Sequence, residues 1–329
     1  MMKAIRFHPP GGPEKLQLEI QSVPTITEPG QTLVKVAYAS IIWSELTWPI
    51  YQGADGTWNP ATPCRDFAGA VVSVSSTGLE DSEINVGSEV VCFPNEWSAQ
   101  GIKYPGGLAE YALCDITCAV LKPAGVRMVD AASVPLSALT AWQALFEQAD
   151  PPLAKGQNVL VTGAAGSTGT WAVQFAKLVG AFVVGTASSE WSKRTLGELG
   201  CDEVINYKMQ RPLGDFVKNV DLVLDTVGGD ETIAELPKVL KKDGRVVSIV
   251  TYDIQQQLPG FKAKFFIWTQ NAAQMVMIAE KIGRGELKTF VDSVFPLEQA
   301  ADAFRKGQAG HLNGKVMVEI ADETAEITV

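Results

Sequence analysis

The chain has 329 residues, long for one hydrophobic core, so two domains are expected. Hydrophobic residues make up 46% and charged residues 19%, which excludes wholesale disorder; the net charge of −10 disfavours a nucleic-acid binder but leaves room for one bound dinucleotide. The start, Met1-Met2-Lys3, lacks a signal-peptide core, no run of about 18 apolar residues could span a membrane, and five scattered cysteines argue against a disulfide framework, so a cytosolic protein is expected.

In chain order, residues 1 to about 122 read mainly as β. Thr32–Ala39 begins with apolar–polar alternation, and Ala68–Val74, Glu89–Phe93 and Leu108–Leu113 are further strands between Gly, Pro, Asn and Asp turns. Residues 94–107 hold two prolines and three glycines and are expected to form a surface loop. The pattern is that of a barrel-like antiparallel sheet.

From about 123 the pattern changes. Asp130–Val134 and Ala138–Gln148 look helical. Strands at Asn158–Thr162, Ala181–Thr186, Glu203–Asn206, Asp221–Asp225 and Arg245–Val250 then alternate with helices near Trp171–Val179, Ser192–Leu199, Gly214–Val217 and Thr232–Leu240. Such alternation specifies a parallel sheet covered on both faces. A helix (Ala272–Ile282), a strand (Thr289–Phe295), a helix (Leu297–Lys306) and a strand (Lys315–Ile320) follow, and Asp322–Val329 reads as a loose tail.

The most informative stretch is the turn Gly163-Ala164-Ala165-Gly166-Ser167-Thr168-Gly169, set between the strand Val159-Leu160-Val161 and a helix. Glycines permit a tight turn and close backbone approach, and the new helix offers unsatisfied N–H groups and a positive dipole end to a pyrophosphate. The spacing is G-x-x-G-x-x-G rather than the strict G-x-G-x-x-G. The next strand ends Thr186-Ala187-Ser188-Ser189 without a carboxylate at its tip, and Lys193 and Arg194 follow. An acidic residue there would accept the ribose hydroxyls of NAD(H), whereas hydroxyls and positive charge suit the 2′-phosphate of NADP(H). NADP(H) is therefore the expected cofactor. Glu190 would weaken that reading if the alignment slipped by one residue, and Lys193 and Arg194 also read as a solvated helix face.

Gly106-Gly107-Leu108-Ala109-Glu110-Tyr111, Pro135–Leu145 (PLSALTAWQAL), the Gly163–Gly169 turn and Asp225-Thr226-Val227-Gly228-Gly229 occur in this order. Together they resemble the medium-chain dehydrogenase/reductase superfamily, in its quinone-oxidoreductase and enoyl-reductase-like branch. The resemblance covers nearly the whole chain. It implies an α/β protein with a GroES-like β-barrel catalytic domain (1–123 and 269–329), a Rossmann doubly wound parallel-sheet cofactor domain (124–268), a cofactor cleft where they meet, and a homodimer. It further implies that Ser188, Ser189, Lys193 and Tyr207 surround the 2′-phosphate and that Thr140 lies near the nicotinamide. Val227, Gly228, Ile249 and Val250 would line the nicotinamide ribose pocket, and Asn313 and Lys315 would approach the cofactor from the returning segment. Tyr207 also reads as a strand-end aromatic that packs.

The zinc-bearing branch of that superfamily carries Gly-Ile-Cys-x-x-Asp and Gly-His-Glu. Here Ile42 replaces the ligand cysteine in Ser40–Glu45, Arg65 replaces the histidine in Cys64-Arg65-Asp66, and 94–107 contains no cysteine. His8 and His311, the only two histidines, are remote from any ligand motif and read as surface residues. No zinc is expected. Without that Lewis acid, the natural chemistry is hydride delivery to an activated C=C of an enone, enal or enoyl group, or to a quinone.

Zinc-independent relatives often have Asn-Pro-x-Asp where this chain has Ile42-Trp43-Ser44-Glu45, so their polar contacts are in doubt here, although Glu45 keeps a carboxylate. Tyr51 is the candidate proton donor, with solvent and a purely structural tyrosine as alternatives. Trp43, Trp48 and Trp58 line a substrate pocket for a flat or lipid-like molecule or are ordinary loop packing. Phe265–Trp268 forms either a cleft wall or a dimer-edge strand. Two further readings stay open: a dinucleotide-binding protein with little turnover, crystallin-like, and a polyketide enoyl reductase acting on a carrier-bound chain.

Overall fold

The computed structural model describes residues 1–48, 51–52, 57–77, 82–94, 97–98 and 101–321, so the expected tail Asp322–Val329 lies outside the described residues. In chain order the strands are β1 (Met2–Phe7), β2 (Leu16–Gln21), β3 (Gln31–Ser40), β4 (Asp66–Val74), β5 (Glu89–Cys92), β6 (Trp97–Ser98), β7 (Gly101–Ile102), β8 (Tyr111–Asp115) and β9 (Ala119–Leu121). Helices α1 (Met128–Ala132) and α2 (Pro135–Gln143) follow, then β10 (Asn158–Val161), α3 (Ser167–Leu178), β11 (Phe182–Ala187), α4 (Glu190–Glu198), β12 (Glu203–Asn206) and β13 (Val220–Asp225). The rest are α5 (Asp230–Val239), β14 (Leu240–Ser248), α6 (Ile254–Gln257), β15 (Lys262–Phe265), α7 (Ala272–Gly283), β16 (Val291–Pro296), α8 (Ala300–Ala309) and β17 (Lys315–Glu319).

Two compact units result: Met1–Leu136 with Gln270–Val329, and Ser137–Thr269. By packing the first unit continues to Leu136, because α1 lies on β3, β4 and β5. The Leu136 N–H also donates to Asp66 Oδ2 at 2.9 Å.

The first unit is built on a seven-stranded sheet, β16-β17-β3-β4-β5-β9, with β8 also paired to β3. Alternation in Thr32–Val36 does what period 2 requires, burying Val34 and Val36 in a core with Phe7, Phe67, Val90, Leu108 and Phe304; a register shift between Val36 and Tyr38 then brings Ala39 into the same core. The sheet is mixed rather than purely antiparallel, since β16 runs parallel to β17. A parallel pair needs a crossover, and α8 supplies it between them. The β1–β2 hairpin went unread in the sequence because β2 is largely exposed and Gln-Glu-Gln-rich.

The 94–107 segment departs from expectation. Its described part from Tyr104 on is not a surface loop: Tyr104 is 3% exposed, and the N–H groups of Gly106 and Gly107 donate to Thr62 O and Cys64 O, both at 2.7 Å. A Cβ on Gly106 would stand 2.2 Å from Pro63 O, so this is a close backbone crossing that only glycine fits.

The second unit is a six-stranded, all-parallel sheet in the order β12-β11-β10-β13-β14-β15. Runs such as Val220-Asp221-Leu222-Val223-Leu224 are buried on both faces, as helices on either side demand. Leu160, Val184, Ile205, Val223 and Val246 meet Ile233, Leu236 and Val239 of α5 in one core. Gln143 at the end of α2 closes the unit by a reciprocal pair with Thr269, donating to its carbonyl at 2.8 Å and accepting from its N–H at 2.9 Å. The expected helix at Gly214–Val217 is only a 3₁₀ turn, Leu213–Asp215. The order of strands reverses between β10 and β13, and open α/β sheets bind ligands outside the carboxyl ends of strands at such a switch point. No helix among the described residues is long and apolar enough to cross a membrane.

Candidate functional site

At the switch point, β10 runs into the glycine turn. Gly163 has φ +61°, and its N–H donates to Thr186 Oγ1 at 2.9 Å, tying the turn to β11. A Cβ on Gly163 would lie 2.7 Å from Thr226 Oγ1, and one on Gly169 would lie 2.3 Å from Gly163 O. The turn is thus pressed between α3 and the end of β13, with room only for glycine. Gly166 is the N-cap of α3 and offers no side-chain cap, whereas Ser189 caps α4 by accepting from Ser192 N at 3.0 Å. The first N–H groups of α3, around Ser167, Thr168 and Gly169, therefore point outward as donors with no intrahelical acceptor. Ala165 and Thr168 are buried beside them. Thr140, 5% exposed on α2, has an Oγ1 without a hydrogen-bond partner among the described residues. A glycine cradle, open helix donors and an orphaned hydroxyl fit a nicotinamide dinucleotide.

The expected 2′-phosphate group is brought together in part. β11 ends at Ala187, and Tyr207 N donates to Ala187 O at 3.2 Å, so Tyr207 and Ser188 share one end of the sheet. Ser189 and Lys193 are exposed in and beside the first turn of α4. Glu190 is the first residue of that helix rather than the strand tip, a position where a carboxylate favours the helix dipole.

Val227 (58% exposed), Gly228, Ile249 and Val250 lie on the loops after β13 and β14. Asp225, which the sequence reading quoted without giving it a role, organises both loops. Fully buried, its Oδ1 accepts from Thr162 Oγ1 (2.9 Å), Val227 N (3.2 Å) and Gly228 N (2.9 Å). Its Oδ2 accepts from Ser248 Oγ (2.8 Å) and Thr251 Oγ1 (3.4 Å). An acidic residue closing an apolar strand just before Gly-Gly was the available signal.

The other predicted residues fall in the first unit. Tyr51 and Glu45 do meet: Tyr51 Oη donates to Glu45 Oε1 at 2.9 Å. Yet Glu45 is 0% and Tyr51 1% exposed, and Tyr51 packs edge-on against Phe7 inside the core. The candidate proton donor is therefore enclosed, its proton committed to Glu45. Cys64, held at φ +71°, donates its N–H to both Glu45 oxygens at 3.1 and 3.0 Å. Burial lifts the Glu45 carboxyl to about 7, against the pull of the Arg65 charge and of the hydrogen bonds Glu45 accepts from Tyr51 and Cys64. Burial likewise raises Asp66 to about 6, opposed by Lys315. Lys315, 4% exposed at the start of β17, is lowered by burial, with Asp66, Cys64 and Glu45 resisting the loss of its charge. It belongs to this interior cluster. Asn313, half-buried just before it, donates its N–H to Asp292 Oδ1 at 2.8 Å.

Zinc does not fit here. Ile42 is a buried alkyl group with no side-chain ligand atom, and the buried Arg65 guanidinium, donating to Tyr104 O at 2.6 Å, is a cation that repels another. Among the described residues no three His, Cys, Asp or Glu side chains are grouped to hold a metal ion. His311 is exposed, but His8 is half-buried against Glu19. Of the tryptophans, Trp43 (52%) and Trp58 (37%) are exposed and Trp48 is half-buried; Trp43 backs onto Gly307 of α8. No ring contact joins the three. Phe265 ends β15, an edge strand of the six-stranded sheet.

The chain matches two protein families, the Alcohol dehydrogenase GroES-like domain over residues 28–124 and the Zinc-binding dehydrogenase over 199–318. It is 30% identical over 341 residues to the chloroplast envelope quinone oxidoreductase homolog of Arabidopsis thaliana, covering 97% of this chain and 98% of that protein. It is also 30% identical to the chloroplastic NADPH-dependent alkenal/one oxidoreductase of the same plant, over 96% of this chain and 79% of that protein. In three dimensions it resembles the quinone oxidoreductase from Coxiella burnetii with a TM-score of 0.84 and 28% identity, covering 97% and 99% of the two chains.

Three outcomes are expected. Gly169→Ala drives a Cβ into fixed backbone and lowers stability by about 1–3 kcal/mol in denaturant unfolding. Folded Glu45 keeps its proton up to about pH 7 while the unfolded group releases it near 4.5, so the folded state binds the extra proton between these values. Melting temperature therefore falls as pH rises from about 5 to 7.5, with Asp66 acting in the same sense, and Glu45→Gln, which has no proton to release, flattens the profile. Tyr51→Phe leaves Glu45 a donor short and costs about 1–3 kcal/mol of stability, but changes kcat by less than about threefold; a loss of about a hundredfold or more would return Tyr51 to proton donation.

Proposed function

This chain belongs to the medium-chain dehydrogenase/reductase superfamily, alongside quinone and alkenal oxidoreductases, and from that premise we propose that it is an NADPH-dependent reductase of activated C=C bonds or quinones that works without metal. The observation that carries the metal-free reading is the buried Arg65 with Ile42, a pairing that repels a cation and offers it no ligand.

In this reading the opening turn of α3 binds the pyrophosphate through backbone N–H groups. Ser188, Ser189, Lys193 and Tyr207 hold the 2′-phosphate, and the absence of a carboxylate at the end of β11 supports that choice. Thr140 orients the nicotinamide, with Val227, Gly228, Ile249 and Val250 along its ribose. Bound NADPH supplies a hydride, which the β-carbon of an α,β-unsaturated carbonyl or a quinone accepts. The substrate's conjugation spreads the resulting charge, and the enzyme's share is positioning. The α-carbon takes its proton from solvent, because Tyr51 and Glu45 are enclosed. Trp43, Trp48 and Trp58 offer the aromatic surface for the acceptor. The compartment we assign is the cytosol, on the free thiols, and the assembly a homodimer through the β15 edge.

Loss of reduced-cofactor absorbance would be followed with enones, enals, quinones and enoyl thioesters, with metal content assayed on the same sample. Turnover with NADPH in metal-free protein is expected. Lys193→Ala should raise KM for NADPH about tenfold and leave that for NADH unchanged. Tight NADPH binding without turnover on any acceptor would favour a dinucleotide-binding protein, and stoichiometric zinc would overturn the mechanism.

A further inference from the structure

Asp225 is the one fully buried acid of the cofactor-binding unit, and every atom around it donates. One oxygen gathers the loop after β13, through Val227 N and Gly228 N, and the end of β10, through Thr162 Oγ1. The other takes the hydroxyls of Ser248 and Thr251 on the loop after β14. Thr162 extends the link: its Oγ1 accepts from Thr226 N at 2.9 Å and its carbonyl from Thr226 Oγ1 at 2.7 Å. Thr226 Oγ1 in turn stands where a Cβ on Gly163 would be. A single carboxylate therefore registers three chain segments against one another at the switch point.

We propose that Asp225 is a positioning residue that sets the nicotinamide-side loops, Val227–Gly228 and Ile249–Thr251, without touching cofactor or substrate. The inference rests on the NADPH reading above and deepens it. The chemistry singles out a carboxylate. Ser248 Oγ already accepts from Val250 N (3.2 Å) and Thr251 N (2.9 Å), so its own proton is left for Asp225. An amide in place of Asp225 could still accept from Val227 and Gly228, but its NH₂ would face the Ser248 hydroxyl, which must donate, and the loop after β14 would lose its register. Ser188, Ser189, Lys193 and Tyr207, at the 2′-phosphate end, make none of the hydrogen bonds of Asp225. Disturbing Asp225 should thus divide the two halves of the dinucleotide.

The test compares Asp225→Asn and Ser248→Ala with wild type in binding titrations of NADPH and of 2′,5′-ADP, which has the adenosine phosphates but no nicotinamide. Expected is a rise of roughly tenfold in the Kd for NADPH in both variants, with that for 2′,5′-ADP within about twofold of wild type. Unchanged NADPH affinity in both variants would overturn the proposal. So would a parallel loss of both ligands, since that marks general damage to the unit rather than positioning. If Asp225→Asn does not fold, Ser248→Ala decides alone, as it deletes the hydroxyl and keeps the carboxylate. Wild-type protein that binds neither NADPH nor 2′,5′-ADP would instead overturn the cofactor reading itself.

Discussion

Everything at the switch point turns on one constraint: the first backbone donors of α3 are left without a side-chain acceptor while the chain around them is packed solid. A side-chain cap on α3 would satisfy those donors, so Gly166 stands there and α3 starts uncapped. Close packing then has to come from what surrounds the turn. Gly163 admits Thr226 from one side, and Gly169 lets α3 ride directly on the turn's own backbone. The threonine pair Thr162–Thr226 and the carboxylate of Asp225 stiffen the site from below by joining side chains to backbone groups.

The first unit meets the opposite problem, charges that are buried with no anion or cation to receive. Glu45, Arg65, Asp66 and Lys315 are all nearly or fully enclosed, and isolated charges of that kind are strongly disfavoured. They persist because they answer one another: two acids face two bases, and Glu45 also takes the Cys64 N–H and the Tyr51 hydroxyl. The strained backbone at Cys64 is the local cost of aiming that N–H at Glu45. Burial still wins in part, which is why both acids hold their protons to higher pH than usual.

Much of this was legible in the sequence. Val159-Leu160-Val161, the glycine turn and the alternation of strands with helices foretold a parallel doubly wound sheet, because those signals are local. The missing carboxylate after Thr186 was equally plain. What escaped depends on residues far apart in the chain. Tyr51 looks exposable in a polar loop, and only Phe7, Glu45 and Cys64 converging on it reveal an enclosed hydroxyl. Asp225 reads as one more strand-end acid until Thr162, 63 positions earlier, and Ser248, 23 positions later, close around it. Gly106 and Gly107 looked like loop glycines; their burial comes from the crossing at Pro63 and Cys64.

The two positions at which the sequence departs from a zinc-binding pattern, Ile42 and Arg65, also bear on the buried charge of the first unit. A metal polarises a carbonyl strongly enough to drive alcohol–carbonyl exchange, and such a site needs donors with a net negative or neutral character. Ile42 removes a thiolate and Arg65 substitutes a fixed cation that is already hydrogen-bonded to the Tyr104 carbonyl. Arg65 offsets the buried negative charge of Glu45 and Asp66 from within, the service a bound cation would otherwise perform. The buried charge of the first unit is thus balanced by its own side chains, with Arg65 and Lys315 answering Glu45 and Asp66.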